Sequence, residues 1–180
     1  GGLGGPQRPG GLGAGRGPGG LQPLVLGERM EATPIDPVGL FTCTAALIGP
    51  EGQMLANHRK RLASPQSFEV EAFGLGEAVT FAEVGGVRVA MIICYEVEFP
   101  ESLRQAALGG AQLVLVPTAL GADWGFVAEK VVPTRAFENG IYIGYADHAG
   151  ELHGLGFYGG GRGVAPDGEV SAVPVGEEGF

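Results

Sequence analysis

The sequence predicts an α/β protein, and three of its features carry that prediction. Predicted strands alternate with predicted helices through the second half of the chain. Two of these strands, at 87–94 (VRVAMIIC) and 113–116 (LVLV), are apolar at nearly every position, which is typical of strands covered on both faces. Glycine- and proline-rich turns separate the elements. Together these features indicate a sheet with helices packed on it and hairpins at its edges.

The first part of the domain is predicted to consist of short strands. One is expected at 24–26, and FTCTAALI at 41–48 is β-branched and apolar enough to form another. The sequence GPEG at 49–52 is typical of a turn, and it returns the chain through a strand at 53–60. These two longer strands are therefore predicted to form a hairpin.

Strand and helix signals continue in the middle of the chain. Two glycines join a loosely alternating strand at 78–84 to the strand at 87–94. A helix is predicted at 101–108, because Pro100 suits its first turn and two further glycines follow its last residue.

The last part is predicted to add one more helix and several strands. Apolar residues at helical spacing predict a helix over 124–139, with Pro133 as a kink or break inside it. A strand is predicted at 141–145, and a terminal hairpin over 157–173.

Composition excludes several functional classes. The 180 residues carry 11 basic and 20 acidic side chains, a net charge of −9, so no nucleic-acid partner is expected. No apolar run approaches the roughly 18 residues that span a bilayer, so no membrane partner is expected. Residues 1–23 are expected to be a low-complexity, disordered Gly/Pro-rich leader, and residues 24–180 a partial domain. Two cysteines do not make a disulfide framework, which favours a reducing, cytoplasmic compartment.

Cys94 is the first candidate for chemistry. It ends a predicted buried strand, and a polar stretch (YEVEFPE) and a helix follow it. Ligands of open α/β sheets gather at that end of the strands, and backbone N–H groups there favour a thiolate. By position alone, a structural core cysteine is an equal alternative. Cys43, flanked by threonines within a predicted strand, is expected to be a core residue, and the two cysteines lack zinc or redox spacing.

Lys60 could assist such a thiol. Of the two lysines, Lys130 is expected on the solvated face of a helix, whereas Lys60 ends a predicted strand within NHRKRL. A lysine beside a cysteine lowers the pKa of the thiol and can donate to an oxyanion. Glu69 or Glu71 could hold that ammonium group by a charged hydrogen bond. From its position alone, Lys60 could equally be an exposed strand end.

Other polar residues are assigned more ordinary roles. Glu96, Glu98 and Glu101 are expected to be solvated or engaged with a helix N-terminus. A Cys–His dyad between Cys94 and His148, which lies just past a predicted strand, is the rival mechanism. The histidine spacing is a weak metal signal, and no metal site is predicted.

Three segments of the sequence resemble the carbon–nitrogen hydrolase (nitrilase) superfamily. ALIGPEGQMLANHRK, which ends at Lys60, is similar to the strand–turn–strand that leads to the family's catalytic lysine. VAMIICYEVEFPESLRQAALGGAQLVLVPTA resembles the nucleophile segment and places the catalytic thiol at Cys94. EKVVPTRAFENGIYIGYADHAG resembles the helix and strand that follow. The resemblance covers Leu24 to Gly168 and implies the family's four-layer αββα-sandwich fold.

The resemblance also implies a reaction, which is hydrolysis of a small-molecule amide to a carboxylic acid and ammonia through a thioester on Cys94. Lys60 and the backbone N–H of Tyr95 would stabilise the oxyanion, and Glu69 would support the lysine. Trp124 falls where the family builds its substrate pocket. A tyrosine after the cysteine is typical of the amidase branch. The resemblance implies no metal and no organic cofactor, and homo-oligomers are common in the family.

One part of the family pattern has no counterpart in this sequence. The family's first glutamate, its acid–base group, lies well upstream of the lysine, and Glu28 and Glu31 are too close to Lys60 to serve. The nitrilase-like fold is therefore expected to be incomplete at the N-terminus, and this chain alone is expected to be weakly active or inactive. The alternative function is that of a catalytically impaired homologue or fragment acting as a non-enzymatic interaction module.

Overall fold

An antiparallel sheet of three strands forms the first half of the fold. The computed structural model describes residues 25–32, 41–65 and 67–172, so the predicted leader lies outside the described residues. The strands are β1 (Val25–Ala32), β2 (Phe41–Ile48) and β3 (Met54–Arg59), and they lie in the order β1-β2-β3. The pairing of β2 with β3 confirms the predicted hairpin.

A larger sheet with parallel strands at its centre forms the second half. The remaining strands are β4 (Thr80–Val84), β5 (Val87–Met91), β6 (Leu113–Thr118), β7 (Tyr142–Asp147), β8 (Ala149–Leu152), β9 (Leu155–Tyr158), β10 (Arg162–Val164) and β11 (Val170–Ala172). Six of them lie in the order β11-β10-β7-β6-β5-β4, and β8 and β9 form a separate hairpin. Strands β5, β6 and β7 run parallel, with helical segments between them, which confirms the predicted α/β class.

All of the helical segments in the described part of the chain except the first lie between the parallel strands β5, β6 and β7. The α-helices are α1 (Glu69–Ala72), α2 (Pro100–Leu108) and α3 (Val132–Asn139). Two 3₁₀ turns, Cys94–Glu98 and Ala122–Trp124, and one π-helical segment, Val127–Val131, complete the set in the described part of the chain.

The predicted helix over 124–139 is divided into distinct helical segments. Pro133 lies in the first turn of α3, directly after the π-helical residues, and does not kink a continuous α-helix. The π-helical residues before it interrupt the regular α-helical pattern, with the Val132 N–H donating to the Val127 carbonyl, at the point where proline supplies no backbone N–H of its own. Helix α3 ends at Gly140, whose φ of 64° is the left-handed conformation that glycine adopts without strain.

The six-stranded sheet has an apolar core on each face. On one face Ala90, Val114 and Val116 pack with residues of α2 and α3 in a single buried cluster. The opposite face presents Val89 and Met91, which pack with residues of β2 and β3. The order of layers is therefore helices, six-stranded sheet and three-stranded sheet, because successive residues of a strand point to opposite faces.

The β8–β9 hairpin was not predicted from the sequence. Its two strands are short and mostly exposed, so they carry no apolar periodicity that would reveal them. The two strands are joined by a turn at His153 and Gly154, which have φ values of 52° and 79° and suit a tight hairpin turn.

Strands β10 and β11 form the predicted terminal hairpin, which begins later than expected. No helix within 25–32, 41–65 and 67–172 is long and apolar enough to cross a membrane.

Candidate active site

Cys94 lies just beyond β5 in a backbone conformation that non-glycine residues rarely adopt. It begins the 3₁₀ turn Cys94–Glu98, and its φ is 46°. Such a left-handed conformation costs about 1–3 kcal/mol and persists only where the surroundings hold it in place. The residues before it, Ile92 and Ile93, are fully buried, whereas Cys94 is half-buried. The strand therefore presents the sulfur at its carboxyl end, as the sequence predicts.

The Glu96 carboxylate holds this turn in place. One oxygen accepts the backbone N–H of Ile93 at 2.8 Å and also contacts His58 Nε2 at 3.0 Å. The other oxygen accepts from Arg61 Nε at 2.8 Å. Because a carboxylate only accepts, His58 donates from Nε2, and its Nδ1 lies 3.2 Å from the Thr80 hydroxyl. The turn that carries Cys94 is thereby tied to β3 and the residues that follow it.

The burial of Glu96 corrects the expectation that it is solvated or engaged with a helix N-terminus. Its side chain is 0% exposed. Burial alone would raise the pKa of this carboxyl, but hydrogen bonding and charge from His58, the Ile93 N–H and the Arg61 guanidinium lower it below its usual value. The group is therefore held as a carboxylate. Glu101 does lie in the first turn of α2, as expected.

Lys60 follows β3 and is held by a single carboxylate. Its Nζ donates to both oxygens of Glu69, each at 2.8 Å, and the residue is only 2% exposed. The backbone N–H of Ser64 donates to the same carboxylate at 2.8 Å, and Ser67 Oγ accepts the Glu69 N–H at 3.2 Å. Of the two candidate acids, Glu69 therefore contacts the lysine, whereas Glu71 is exposed.

The charge of Lys60 is stabilised in spite of its burial. Burial would lower the pKa of this ammonium group, but the Cys94 sulfur and the Glu69 carboxylate outweigh that effect and raise it above its ordinary value. The same attraction favours the thiolate form of Cys94, because a cation beside a thiol stabilises its anion.

One cavity brings these groups together. It has a volume of about 340 Å³, within the range of small-molecule sites. Its lining residues are Cys43, Lys60, Ser64, Ser67, Phe68, Glu69, Cys94, Ala119 and Leu155. The Cys94 sulfur and the Lys60 ammonium group, which lie far apart in the sequence, thus line the same cavity.

Cys43 differs from its expected role as a plain core residue. It packs against the core between the sheets, but it is only half-buried and lines the cavity with Lys60 and Cys94. The cause is register: β2 and β3 pair so that Cys43 lies opposite the residue that follows β3, and its carbonyl accepts the Lys60 N–H at 2.9 Å. The sequence of β2 alone contains no sign of this neighbour.

Three other residues singled out from the sequence lie outside the cavity lining. The Tyr95 ring packs edge-to-face on Phe99 with 5.0 Å between ring centroids. Trp124 lies in the turn Ala122–Trp124 and is 62% exposed. His148, the base of the rival mechanism, lines a neighbouring cleft of about 360 Å³ and packs against Phe157. The structure therefore does not bring His148 into the Cys94 cavity.

The described residues contain no cluster of three or more histidine, cysteine, aspartate or glutamate side chains that could hold a metal ion.

Sequence reasoning missed His58 and Arg61 as partners of Glu96, although both lie close to Lys60 in NHRKRL. It also missed Ser64 and Ser67 beside Glu69. The Ser-x-Glu pattern at 67–69 is a local turn signal that could have indicated the serine contact.

Comparison with known proteins identifies relatives across most of the chain. The sequence model of the carbon-nitrogen hydrolase family matches residues 22–179. A hydrolase in the pqqF 5' region of Pseudomonas protegens is 39% identical over 128 residues, which are 71% of this chain and 45% of that protein. An (R)-stereoselective amidase from a Pseudomonas species is 35% identical over 133 residues, covering 73% and 47% of the two chains. The chain thus spans about half the length of these curated relatives.

Solved structures show the same similarity in three dimensions. A cysteine-to-alanine mutant of an amidase of the nitrilase superfamily from Nesterenkonia AN1 superposes with a TM-score of 0.78 at 38% identity, covering 88% of this chain and 59% of that one. A mutant of that amidase, with a TM-score of 0.75, carries the acetamide moiety of fluoroacetamide covalently on its active site cysteine. These similarities confirm the expected nitrilase-like fold, with only part of the relatives' length covered.

Proposed function

The chain belongs to the carbon-nitrogen hydrolase family, and from this premise we propose that the Cys94 cavity hydrolyses the C–N bond of a small amide. The observation that carries the proposal is a buried ammonium group, Lys60, which Glu69 fixes through both carboxylate oxygens in the cavity that holds the Cys94 sulfur. A thiolate and a fixed cation are the pair that acyl transfer requires, one to attack and the other to stabilise the charge that develops.

The reaction begins with attack of the Cys94 thiolate on the amide carbonyl carbon. The carbonyl π electrons move to oxygen, and the Lys60 ammonium and the backbone N–H of Tyr95 stabilise the oxyanion. The C–N bond then breaks, nitrogen takes up a proton and leaves as ammonia, and the acyl group remains on sulfur as a thioester. Water adds to the thioester, releasing the carboxylic acid and regenerating the thiol.

Proton transfer to the departing nitrogen is the demanding step, because an amide anion is a poor leaving group. Among the described lining residues, Glu69 is the carboxylate, and both its oxygens are engaged by Lys60. Glu69 is therefore proposed to position the lysine rather than transfer the proton. On this basis formation of a Cys94 adduct and steady turnover are separate properties, and each needs its own measurement.

The walls of the cavity favour a short, uncharged acyl group. Phe68, Ala119 and Leu155 supply apolar surface, and the two charged lining groups, Lys60 and Glu69, neutralise each other. A charged substrate would have to separate that pair, whereas an aliphatic amide leaves it intact. We therefore propose short aliphatic amides as the substrate class.

The proposal can be tested with ammonia release from acetamide, propionamide and butyramide and with intact mass after treatment with fluoroacetamide. Cys94→Ala should abolish both the adduct and turnover. Lys60→Ala should slow turnover by about 10²–10³-fold, as expected for the loss of an oxyanion donor. Lys130→Ala is the matched control, because this lysine is exposed on the π-helical segment and should leave both readouts unchanged.

Each outcome distinguishes one mechanism from another. Loss of turnover in His148→Ala but not in Lys60→Ala would transfer the role to the histidine and overturn the assignment. A chain that neither forms the adduct nor releases ammonia would support the alternative of a non-enzymatic interaction module. An adduct without steady turnover would support Cys94 as the nucleophile and place the missing function in proton transfer.

A further inference from the structure

We propose that the catalytic cavity is a site of reversible oxidation, in which Cys43 forms a disulfide with Cys94 after a peroxide has oxidised the Cys94 sulfur. The two residues are the only cysteines of the chain. Both line the same cavity, and both are half-buried. The inference rests on the proposed role of Cys94 as a reactive thiol.

Strand register places the second thiol beside the lysine. Successive pairs such as Thr44–Arg59 and Ala45–His58 run along the β2–β3 ladder, so the next position sets Cys43 directly opposite Lys60. Directly opposed residues project from the same face of a sheet, with their Cβ atoms about 4.5–5.5 Å apart. The face in question packs toward β5, whose carboxyl end leads to Cys94. Cys43 therefore points into the space that Lys60 and Cys94 share.

Charge in the cavity suits thiol oxidation. The sulfurs of Cys94 and Cys43 each stabilise the Lys60 ammonium, and by reciprocity that ammonium stabilises a thiolate at either position. A thiolate that is accessible and lies next to a second cysteine is the arrangement found in redox-sensitive sites. Both sulfur-bearing residues also pack against the same core cluster, which lies between the two sheets.

The chemistry balances with hydrogen peroxide as the oxidant. The Cys94 thiolate attacks one peroxide oxygen, the O–O bond breaks, and sulfur becomes a sulfenic acid, oxidised by two electrons, while the other oxygen leaves as water after protonation. The Cys43 thiolate then attacks the Cys94 sulfur, the S–S bond forms and the S–O bond breaks. The second oxygen leaves as water, with a proton from Lys60 or solvent.

The test is peptide mapping of the full chain after exposure to hydrogen peroxide. Trypsin places Cys43 in the peptide 30–59 and Cys94 in the peptide 89–104. The wild type should yield these peptides joined, with a loss of two hydrogen atoms, and dithiothreitol should separate them. In Cys43→Ser the joined species should be absent, and Cys94 should proceed to the sulfinic acid, which dithiothreitol does not reduce.

The mass readout needs no amide turnover, so it remains decisive if the proposed hydrolase function fails. Where turnover is measurable, peroxide should abolish it, and dithiothreitol should restore it in the wild type but not in Cys43→Ser. A wild-type chain whose Cys94 reaches the sulfinic acid without the joined peptides would overturn the proposal. A disulfide that links two chains, detected as a dimer on a non-reducing gel, would overturn it as well.

Discussion

Replacing Glu96 with alanine should destabilise the fold strongly, because this buried carboxylate accepts hydrogen bonds from His58, Arg61 and the backbone N–H of Ile93. Its side chain is 0% exposed, and Arg61 opposite it is 12% exposed. Hydrogen bonds to a charged group contribute about 1.5–3 kcal/mol each, and removing one partner of a buried ion pair costs about 3–5 kcal/mol. We expect the free energy of unfolding to fall by about 3–5 kcal/mol, a large part of the 5–15 kcal/mol typical of a domain.

The matched control is the exposed pair between Arg88 and Glu83. Their side chains are 43% and 60% exposed at a distance of 3.0 Å, so Glu83→Ala should cost less than about 1 kcal/mol. Both variants are compared by urea unfolding followed by circular dichroism. If Glu96→Ala does not fold, Glu96→Gln, which keeps the volume and one acceptor, should still lose more stability than the control. Equal losses in Glu96→Gln and Glu83→Ala would refute the reasoning.

Three further perturbations have expected outcomes that the structure sets. Because the pKa of Glu96 is lowered in the folded state, its carboxylate stabilises the fold fully above the unfolded-state pKa of 4.5, and this stabilisation is lost as the pH falls through the folded-state pKa. Urea unfolding across this acidic range should therefore show that the free energy of unfolding falls less steeply with decreasing pH in Glu96→Gln than in the wild type. Gly76→Ala would place a Cβ in steric overlap with the Arg59 carbonyl oxygen and should lower the free energy of unfolding, measured by thermal unfolding, by about 1–3 kcal/mol. Gly163→Ala, where the nearest atom would be 4.0 Å from the new Cβ, should cost less in the same measurement. The Asp147 carboxylate accepts the backbone N–H groups of Leu120 at 2.9 Å and Gly160 at 2.8 Å, and in Asp147→Asn one of them would face an amide donor instead of an acceptor. This substitution should lower the free energy of unfolding by about 1–3 kcal/mol, and an unchanged midpoint of urea unfolding would contradict that role.

The parts of the site that lie next to a strong local signal could be predicted from the sequence. Periodicity and turn chemistry place Cys94 after an apolar strand and Lys60 at the end of a predicted hairpin strand, and the resemblance to the carbon–nitrogen hydrolase superfamily assigns both residues to the site. Glu69 was one of two candidates, because local sequence does not show which of two nearby acids turns inward. The structure resolves that choice through contacts at 2.8 Å.

The other features of the site, the burial of Glu96 and the position of Cys43 in the cavity, depend on contacts between segments that are distant in the sequence. Glu96 bonds His58 and Arg61 across 38 and 35 residues, and no local pattern reports such a contact. Without those partners, an acid near a helix start is expected in solvent, since buried acids are rare unless paired. Cys43 faces the cavity because of the β2–β3 register, which a single strand's composition does not specify.

Strand β5 contributes side chains to two hydrophobic cores: Ala90 packs toward the helices, whereas Val89 and Met91 pack toward the three-stranded sheet. A one-residue insertion or deletion between Val89 and Cys94 would turn the side chains that follow it to the opposite face and rotate the Cys94 sulfur away from the cavity. The number of residues in this short stretch is thus as constrained as their identity. Length variation among natural or evolved relatives should instead collect at solvent-facing bends such as His153–Gly154.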